Sequence, residues 1–187
     1  MVLQAKEFRT AEHDISEVFL NRWSPRAYAD TPVAEDVLNR LFEAARWAPS
    51  AGNNQPWRFI VAKTEEDLAK FHPVLMEGNL VWAKRAPVLV LVVSDNTKGS
   101  HEFDSGTAWG FLSLQAAKEG LITHPMSGIY KDVAKEAFNI PDTFDVHLAI
   151  AIGYKGDKEM LSPELQARET PSGRRQLNEI VFEGSFK

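Results

Sequence analysis

A run of eight apolar residues at positions 86–93, APVLVLVV, constrains the fold of this chain more than any other segment. The run is rich in β-branched valine, and its residues are apolar at odd and even positions alike. This is typical of a strand that is buried on both faces. It is too short to cross a bilayer as a helix. The sequence therefore predicts a central strand over residues 87–94, in a sheet covered by helices.

Helical and strand patterns flank this segment. Apolar residues at helical spacing, together with their start and stop signals, predict helices over residues 13–21, 32–48, 104–119 and 130–138, and a capping-box pattern predicts another helix after Thr64. Strands are predicted over residues 57–62 and 146–152. This order is not regular βαβ alternation. The tail from residue 155 is polar but ends in the more apolar segment LNEIVFEGSF.

Composition narrows the classes of function. The chain has 187 residues, which predicts a single domain over residues 1–187 with a C-terminal arm from about residue 155. The net charge of -5 disfavours nucleic acid and anionic membranes as partners. The chain has no cysteine, so disulfides and thiolate chemistry are excluded. With no signal-peptide pattern at the start, we expect a soluble, cytoplasmic protein.

Common catalytic motifs are absent from the sequence. There is no GxGxxG after a strand and no GxxxxGK[ST] phosphate loop. Five histidines are scattered without metal-ligand spacing, so no metal site is predicted. The segment PMSG at residues 125–128 is close to the GxSxG nucleophile elbow, but Pro125 stands where the first glycine belongs. We predict no catalytic side chain.

Two arginine-bearing segments and one polar loop remain as candidates. Arg22, Ser24 and Arg26 follow the first helix, and Arg174 and Arg175 lie far along the chain. Guanidinium groups beside a hydroxyl suit a terminal phosphate, although each segment alone could be ordinary solvated surface.

The loop PSAGNNQP at residues 49–56 carries four hydrogen-bonding side chains between two tryptophans. Turn formation explains Gly52 and one asparagine, and the remaining polar groups favour a planar, polar ligand.

These segments together resemble the nitroreductase family of FMN-dependent oxidoreductases, in order over about residues 14–184. The matching motifs are RWSPR at 22–26, PSAGNNQPW at 49–57, NLVWAKRAP at 79–87, HPMSG at 124–128 and RRQLNEI at 174–180. The resemblance implies an α+β nitroreductase-like fold, with a mainly antiparallel central sheet between helical layers. It also implies an intertwined homodimer with FMN at the subunit interface. The helix over residues 104–119 would lie in the dimer core, and the apolar tail would extend onto the partner.

The resemblance further implies a set of cofactor-binding residues. Arg22, Ser24 and Arg174 would hold the FMN phosphate, with Trp23 and Arg175 beside them. Arg26 and Asn79 would lie near the pyrimidine side of the flavin. The other subunit would contribute the loop residues Pro49, Ser50, Ala51, Asn53 and Gln55, and the opposite face of the ring would meet Pro125, Met126, Ser127 and Gly128.

The implied activity is reduction of nitroaromatics, quinones or related electron-poor acceptors by NAD(P)H, with ping-pong kinetics. Two residues depart from the family pattern. Trp23 replaces a basic residue found in many members, and Ser127 replaces a glutamate found in some. The alternatives are a flavin-binding or storage protein without significant turnover and a specialised branch of the same fold, of dehalogenase or flavin-destructase type.

Overall fold

The computed structural model describes residues 5–186, which fold around one antiparallel sheet of four strands. The strands are β1 (Trp57–Ala62), β2 (Val88–Asp95), β3 (Leu121–Met126) and β4 (Phe144–Tyr154), in the order β1-β2-β4-β3. Every pairing is antiparallel. The predicted α+β architecture, an antiparallel sheet between helical layers, is therefore confirmed.

The central strand β2 is buried over all but its last residue, as the apolar run predicts. Alternate side chains separate into two cores. Val88, Val90 and Val92 pack in one of them, and Leu89, Leu91 and Val93 pack in the other. Since successive side chains of a strand point to opposite faces, both faces of the sheet need a helical cover.

Within residues 5–186, seven α-helices supply that cover and the connections. They are α1 (Glu17–Asn21), α2 (Glu35–Arg46), α3 (Glu65–Phe71), α4 (Glu77–Ala83), α5 (His101–Lys118), α6 (Lys131–Ala137) and α7 (Pro163–Ala167). Helices α2 and α5 contribute Leu41 and Leu112 to the first core, and α3 and α4 contribute Phe71 and Trp82 to the second. The sheet thus lies between two helical layers.

Several predicted boundaries differ from those observed. Helix α1 begins at Glu17 and α2 begins at Glu35, three to four residues later than predicted, while α5 begins three residues earlier, at His101. The predicted cap at Thr64 is confirmed, because its hydroxyl accepts a hydrogen bond from Asp67 N. Helix ends depend on weak local signals, so such shifts are expected.

Among the strands and α-helices of residues 5–186, three were not predicted: β3, α4 and α7. Strand β3 contains His124 and Pro125, and proline argues against a central strand. The structure places β3 at an edge of the sheet, where a missing N–H is tolerated. Helix α4 contains Gly78, which weakens its helical signal.

The C-terminal tail packs in part against the N-terminal segment. It contains α7 and two short 3-10 turns, Lys158–Met160 and Leu177–Glu179. Leu177 N donates to the carboxylate of Glu12, and Arg9 reaches Ser172. Over residues 5–186, no helix has the length and apolar character needed to cross a membrane.

Candidate functional site

The structure brings two of the predicted arginines together, Arg22 and Arg174, although they are far apart in sequence. Arg22 donates to the hydroxyl of Ser24 at 3.4 Å. Burial, and then the neighbouring positive charges of Arg174 and Arg9, lower the pKa of Arg22. In the part of the chain that the structure describes, none of these three arginines lies within ion-pair distance of a carboxylate. A cluster of unpaired cations is suited to an anion.

Arg9 belongs to this arginine cluster, defined as Arg9, Arg22 and Arg174, but the sequence analysis missed it. Its guanidinium donates to three backbone carbonyl oxygens, those of Leu20 and Arg22 at 2.8 Å and that of Ser172 at 2.9 Å. Burial and the charge of Arg174 lower the pKa of Arg9. Arg9 therefore ties the N-terminal segment to both predicted arginine segments. A single arginine in EFRTAEHD gives no sequence signal for such a role.

The other residues that were predicted to lie at the FMN phosphate have different surroundings. Arg174 Nη1 donates to the backbone oxygen of Gly173 at 2.8 Å and to Ser172 Oγ at 3.3 Å, and Arg174 and Arg175 are both exposed. Trp23 is buried and lines a cavity of about 690 Å³ together with Phe8 and Glu169. Neither Arg22 nor Ser24 lines that cavity, so the Trp23 side chain faces a space that its two chain neighbours do not line.

Arg26 is paired with an acidic residue that the sequence analysis did not select. Its Nη1 lies 3.6 Å from Oε2 of Glu169, whose side chain is 1% exposed. Oε1 of the same carboxylate accepts the backbone N–H groups of Arg26 at 2.6 Å and Ala27 at 3.0 Å. A buried carboxylate therefore compensates part of the charge of Arg26.

The segment 22–26 runs beside strand β3. Nδ1 of His124 lies 3.0 Å from the backbone oxygen of Pro25, and the imidazole packs 4.5 Å from the ring of Trp82. Burial lowers the pKa of His124 to about 4, with the charges of Arg26 and Arg22 contributing in the same direction. His124 is therefore a neutral connection between the arginine segment and the turn after β3.

Asn79 and the turn after β3 are in direct contact. Asn79 Nδ2 donates to the carbonyl oxygen of Gly128 at 2.9 Å, and Met76 N donates to the same oxygen at 3.2 Å. Pro125 and Met126 are the last residues of β3, where Met126 is buried, and Ser127 is exposed beyond them. This corner offers an amide, a hydroxyl and backbone groups to a polar ring.

The loop over residues 49–55 uses many of its polar groups internally. Ser50 Oγ accepts from Gln55 N at 3.0 Å, and Gln55 Nε2 donates to Asn53 Oδ1 at 3.0 Å. Gly52 and Asn53 have positive φ values, as turn formation predicts, and Gln55 has one that was not predicted. Ala51 N donates to the buried carboxylate of Asp104, which anchors the loop to α5. Pro49, Ala51, Asn53 and Gln55 nevertheless remain exposed.

This loop lies at the opposite side of the sheet from the other predicted residues. It leads into β1, whereas the segment 22–26 lies beside β3, and β1 and β3 are the two edge strands. Three strand spacings of about 4.8 Å separate the edges by about 14 Å. Within residues 5–186, no hydrogen bond or ion pair joins the loop 49–55 to the arginine cluster, to Asn79 or to the turn 125–128.

Comparison with known proteins gives one consistent result. The family model described as the nitroreductase family matches residues 20–154. A crystal structure described as an oxidoreductase containing FMN superposes with a TM-score of 0.93 at 43% identity, over 96% of both chains. A nitroreductase family protein from Clostridium difficile 630 superposes with a TM-score of 0.76 at 26% identity, over 93% of this chain and all of the other. A Xanthomonas oryzae pv. oryzae protein provisionally named NADH dehydrogenase/NAD(P)H nitroreductase is 29% identical over an alignment that covers 80% of this chain and 88% of that protein.

Proposed function

The chain belongs to the nitroreductase family, and from that premise we propose that it is an FMN-containing oxidoreductase that uses NAD(P)H to reduce nitroaromatics, quinones or related acceptors. The observation that carries the proposal is the arginine cluster: the charges of Arg9 and Arg174 act on Arg22, and Arg22 contacts the hydroxyl of Ser24. Within residues 5–186, no carboxylate is paired with any of the three arginines. A dianionic phosphate at the end of a cofactor would remove the mutual repulsion of these cations. The donor set therefore fits the phosphate of FMN.

The flavin ring would lie between the arginine cluster and the turn after β3. Asn79, with its amide held by Gly128, would face the polar edge of the ring, and Pro125, Met126 and Ser127 would line the other side. Arg26 would place positive charge near the pyrimidine edge, with Glu169 setting its position. When bound, FMN accepts two electrons from a reduced nicotinamide and passes them to an electron-poor acceptor.

The exposed loop residues would serve the FMN of a second copy of the chain. The two edges of the sheet are too far apart for the loop 49–55 to close over the arginine cluster of its own chain.

Helix α5 also carries Phe103 with 81% exposure and Phe111 with 39% exposure. Gly106 and Gly110 lie between them at helical spacing, and a Cβ at either position would meet nothing within 4 Å. This face supports close packing of α5 against a partner in a homodimer.

The residues of the proposed site bind the cofactor and position the substrates, and none is required as a nucleophile. His124, the histidine beside the site, is neutral and engaged with Pro25. A single pocket over the ring would receive the nicotinamide and then the acceptor. We therefore expect ping-pong kinetics, seen as parallel lines in double-reciprocal plots at several acceptor concentrations.

The decisive experiment is an absorbance spectrum of purified protein, followed by anaerobic addition of NADH or NADPH. We expect a flavin band that bleaches with a nucleotide and returns when a quinone or nitroaromatic is added. A flavin band that neither nucleotide bleaches would overturn the proposed reductase activity and would favour a flavin-binding protein without turnover. A colourless protein that cannot be loaded with FMN would overturn the cofactor assignment itself.

A further inference from the structure

A second cluster of ionisable groups lies where β2, β4 and α5 meet. Ser94 is fully buried on β2, and its Oγ lies 2.7 Å from Nδ1 of His101 and 2.6 Å from Nε2 of His147. His101 is the first residue of α5, and His147 lies on β4. The proposed flavin site uses none of these three residues.

The hydroxyl of Ser94 carries a single proton, so it donates to one imidazole and accepts from the other. When Nδ1–H of His101 donates to Ser94, the hydroxyl donates in turn to Nε2 of His147. Nε2 of His101 then carries a free lone pair. An imidazole whose other nitrogen donates a hydrogen bond is the arrangement that histidine adopts as a metal ligand.

Two carboxylates lie beside this imidazole. One ligand atom each from His101, Glu102 and Asp145 lies within 4.8 Å of the others. Asn96 Nδ2 donates to Oδ1 of Asp145 at 3.0 Å, which orients the Asp145 carboxylate and leaves its other oxygen available. Glu102 is exposed, so its side chain is free to rotate toward a bound ion.

We propose that His101, Glu102 and Asp145 form a binding site for one divalent transition-metal ion of the Zn²⁺ class, with Ser94 and His147 positioning the His101 ring. One imidazole and two carboxylates are a donor set suited to Zn²⁺, Co²⁺ or Mn²⁺, and water would complete the coordination. The imidazole distinguishes this set from the all-oxygen surroundings that Ca²⁺ prefers.

The charge balance at this position favours a cation. The N-terminus of α5 contributes about half of a positive charge, which opposes a metal ion. Glu102 and Asp145 contribute two formal negative charges, which outweigh the partial charge of the helix. The positive charge of Lys135 also acts on Asp145, but Lys135 is itself ion-paired with Asp142 at 3.7 Å. The ion would link the first turn of α5 to the start of β4, and its binding would therefore stabilise the folded chain.

The test uses full-length, untagged protein with its cofactor retained, because an affinity tag of histidines would itself bind zinc. After treatment with EDTA and dialysis, ZnCl₂ is titrated by isothermal calorimetry, and thermal unfolding is followed with and without Zn²⁺. We expect one Zn²⁺ per chain and a raised unfolding temperature.

Matched variants locate the ion. His101→Gln and Glu102→Gln should abolish the saturable binding, whereas His13→Gln, which removes an exposed histidine elsewhere, should leave it unchanged. Ser94→Ala should keep a stoichiometry of one but weaken the affinity by about 10- to 100-fold, because the ring orientation is lost. The proposal is overturned if wild-type protein binds no Zn²⁺, or if binding persists undiminished in both His101→Gln and Glu102→Gln.

Discussion

The amide of Asn79 and the backbone of Gly128 are in direct contact: Nδ2 donates to the Gly128 carbonyl oxygen at 2.9 Å, and a Cβ built on Gly128 would lie 2.7 Å from that same nitrogen. Two motifs that are 49 residues apart in sequence therefore depend on each other sterically. The hydrogen bond requires the close approach that glycine allows. Any side chain at position 128 must displace Asn79 or the turn.

Gly128→Ala should weaken FMN binding. The added methyl group would push the amide of Asn79 from its position and break its hydrogen bond to the Gly128 carbonyl, at a cost of about 1 kcal/mol. We expect a Kd for FMN about tenfold higher, measured by quenching of flavin fluorescence on titration into apoprotein. Gly99→Ala is the matched control, since a Cβ there meets nothing within 4 Å. Equal affinities in the two variants would contradict a role for Asn79 in the flavin site.

Removing two members of the arginine cluster should release FMN. In Arg22→Ala/Arg174→Ala the phosphate would lose two charge-assisted contacts of about 1.5–3 kcal/mol each, so we expect affinity to fall by at least about 100-fold. The measurement is the ratio of flavin to protein absorbance after gel filtration. Arg85→Ala, which removes an exposed arginine outside the cluster, should retain its flavin. Full flavin content in the double variant would refute the phosphate assignment.

Glu169→Ala should destabilise the folded chain. The substitution would leave Arg26 without its carboxylate and remove the acceptor of two backbone N–H groups, at a cost of about 3 kcal/mol. The free energy of unfolding, from urea denaturation followed by tryptophan fluorescence, should fall accordingly. Glu164→Ala, at an exposed position of α7, should change it by less than about 0.5 kcal/mol. A loss no greater than that of the control would show that the pair contributes little.

His124 should make the stability of the protein fall in mild acid. Its pKa is about 4 in the folded chain against an ordinary value of 6.5, so the unfolded chain binds the proton first as the pH decreases. The contribution of neutral His124 to the free energy of unfolding is therefore fully present above about pH 6.5. It decreases as the pH falls toward 4, by up to about 3 kcal/mol. His124→Gln should flatten this part of the pH profile of unfolding relative to wild type, and His13→Gln should not. Parallel profiles for wild type and His124→Gln would contradict the depressed pKa.

A bulky charged residue on the exposed face of α5 should prevent dimer formation. Gly110→Arg has room within one chain, because a Cβ there meets nothing within 4 Å, but it would block a partner helix. We expect sedimentation velocity to show a monomer with reduced flavin content, because the loop of the second chain would be lost. Gly99→Arg, in equally open space before the helix, should remain dimeric. A Gly110→Arg dimer with full flavin would place the interface elsewhere.

The sequence alone determined the central strand and the layered architecture. The apolar run around Val90 has no polar face, so it is stable only with apolar cover on both sides, and local composition carries that information. The same holds for Thr64, whose cap acts on a residue three positions away. The arginine segments and the polar loop were also recognisable, because their motifs are short and occur in a fixed order.

Only the tertiary structure decided which of these groups meet. Arg9 joins the arginine cluster through carbonyl oxygens up to 163 residues away, and Glu169 reaches Arg26 across 143 residues. His124 becomes neutral because burial removes its hydration, and Pro125 is accepted in β3 because that strand is an edge. Such properties depend on distance and solvent access in three dimensions. Residue type and spacing along the chain do not contain them.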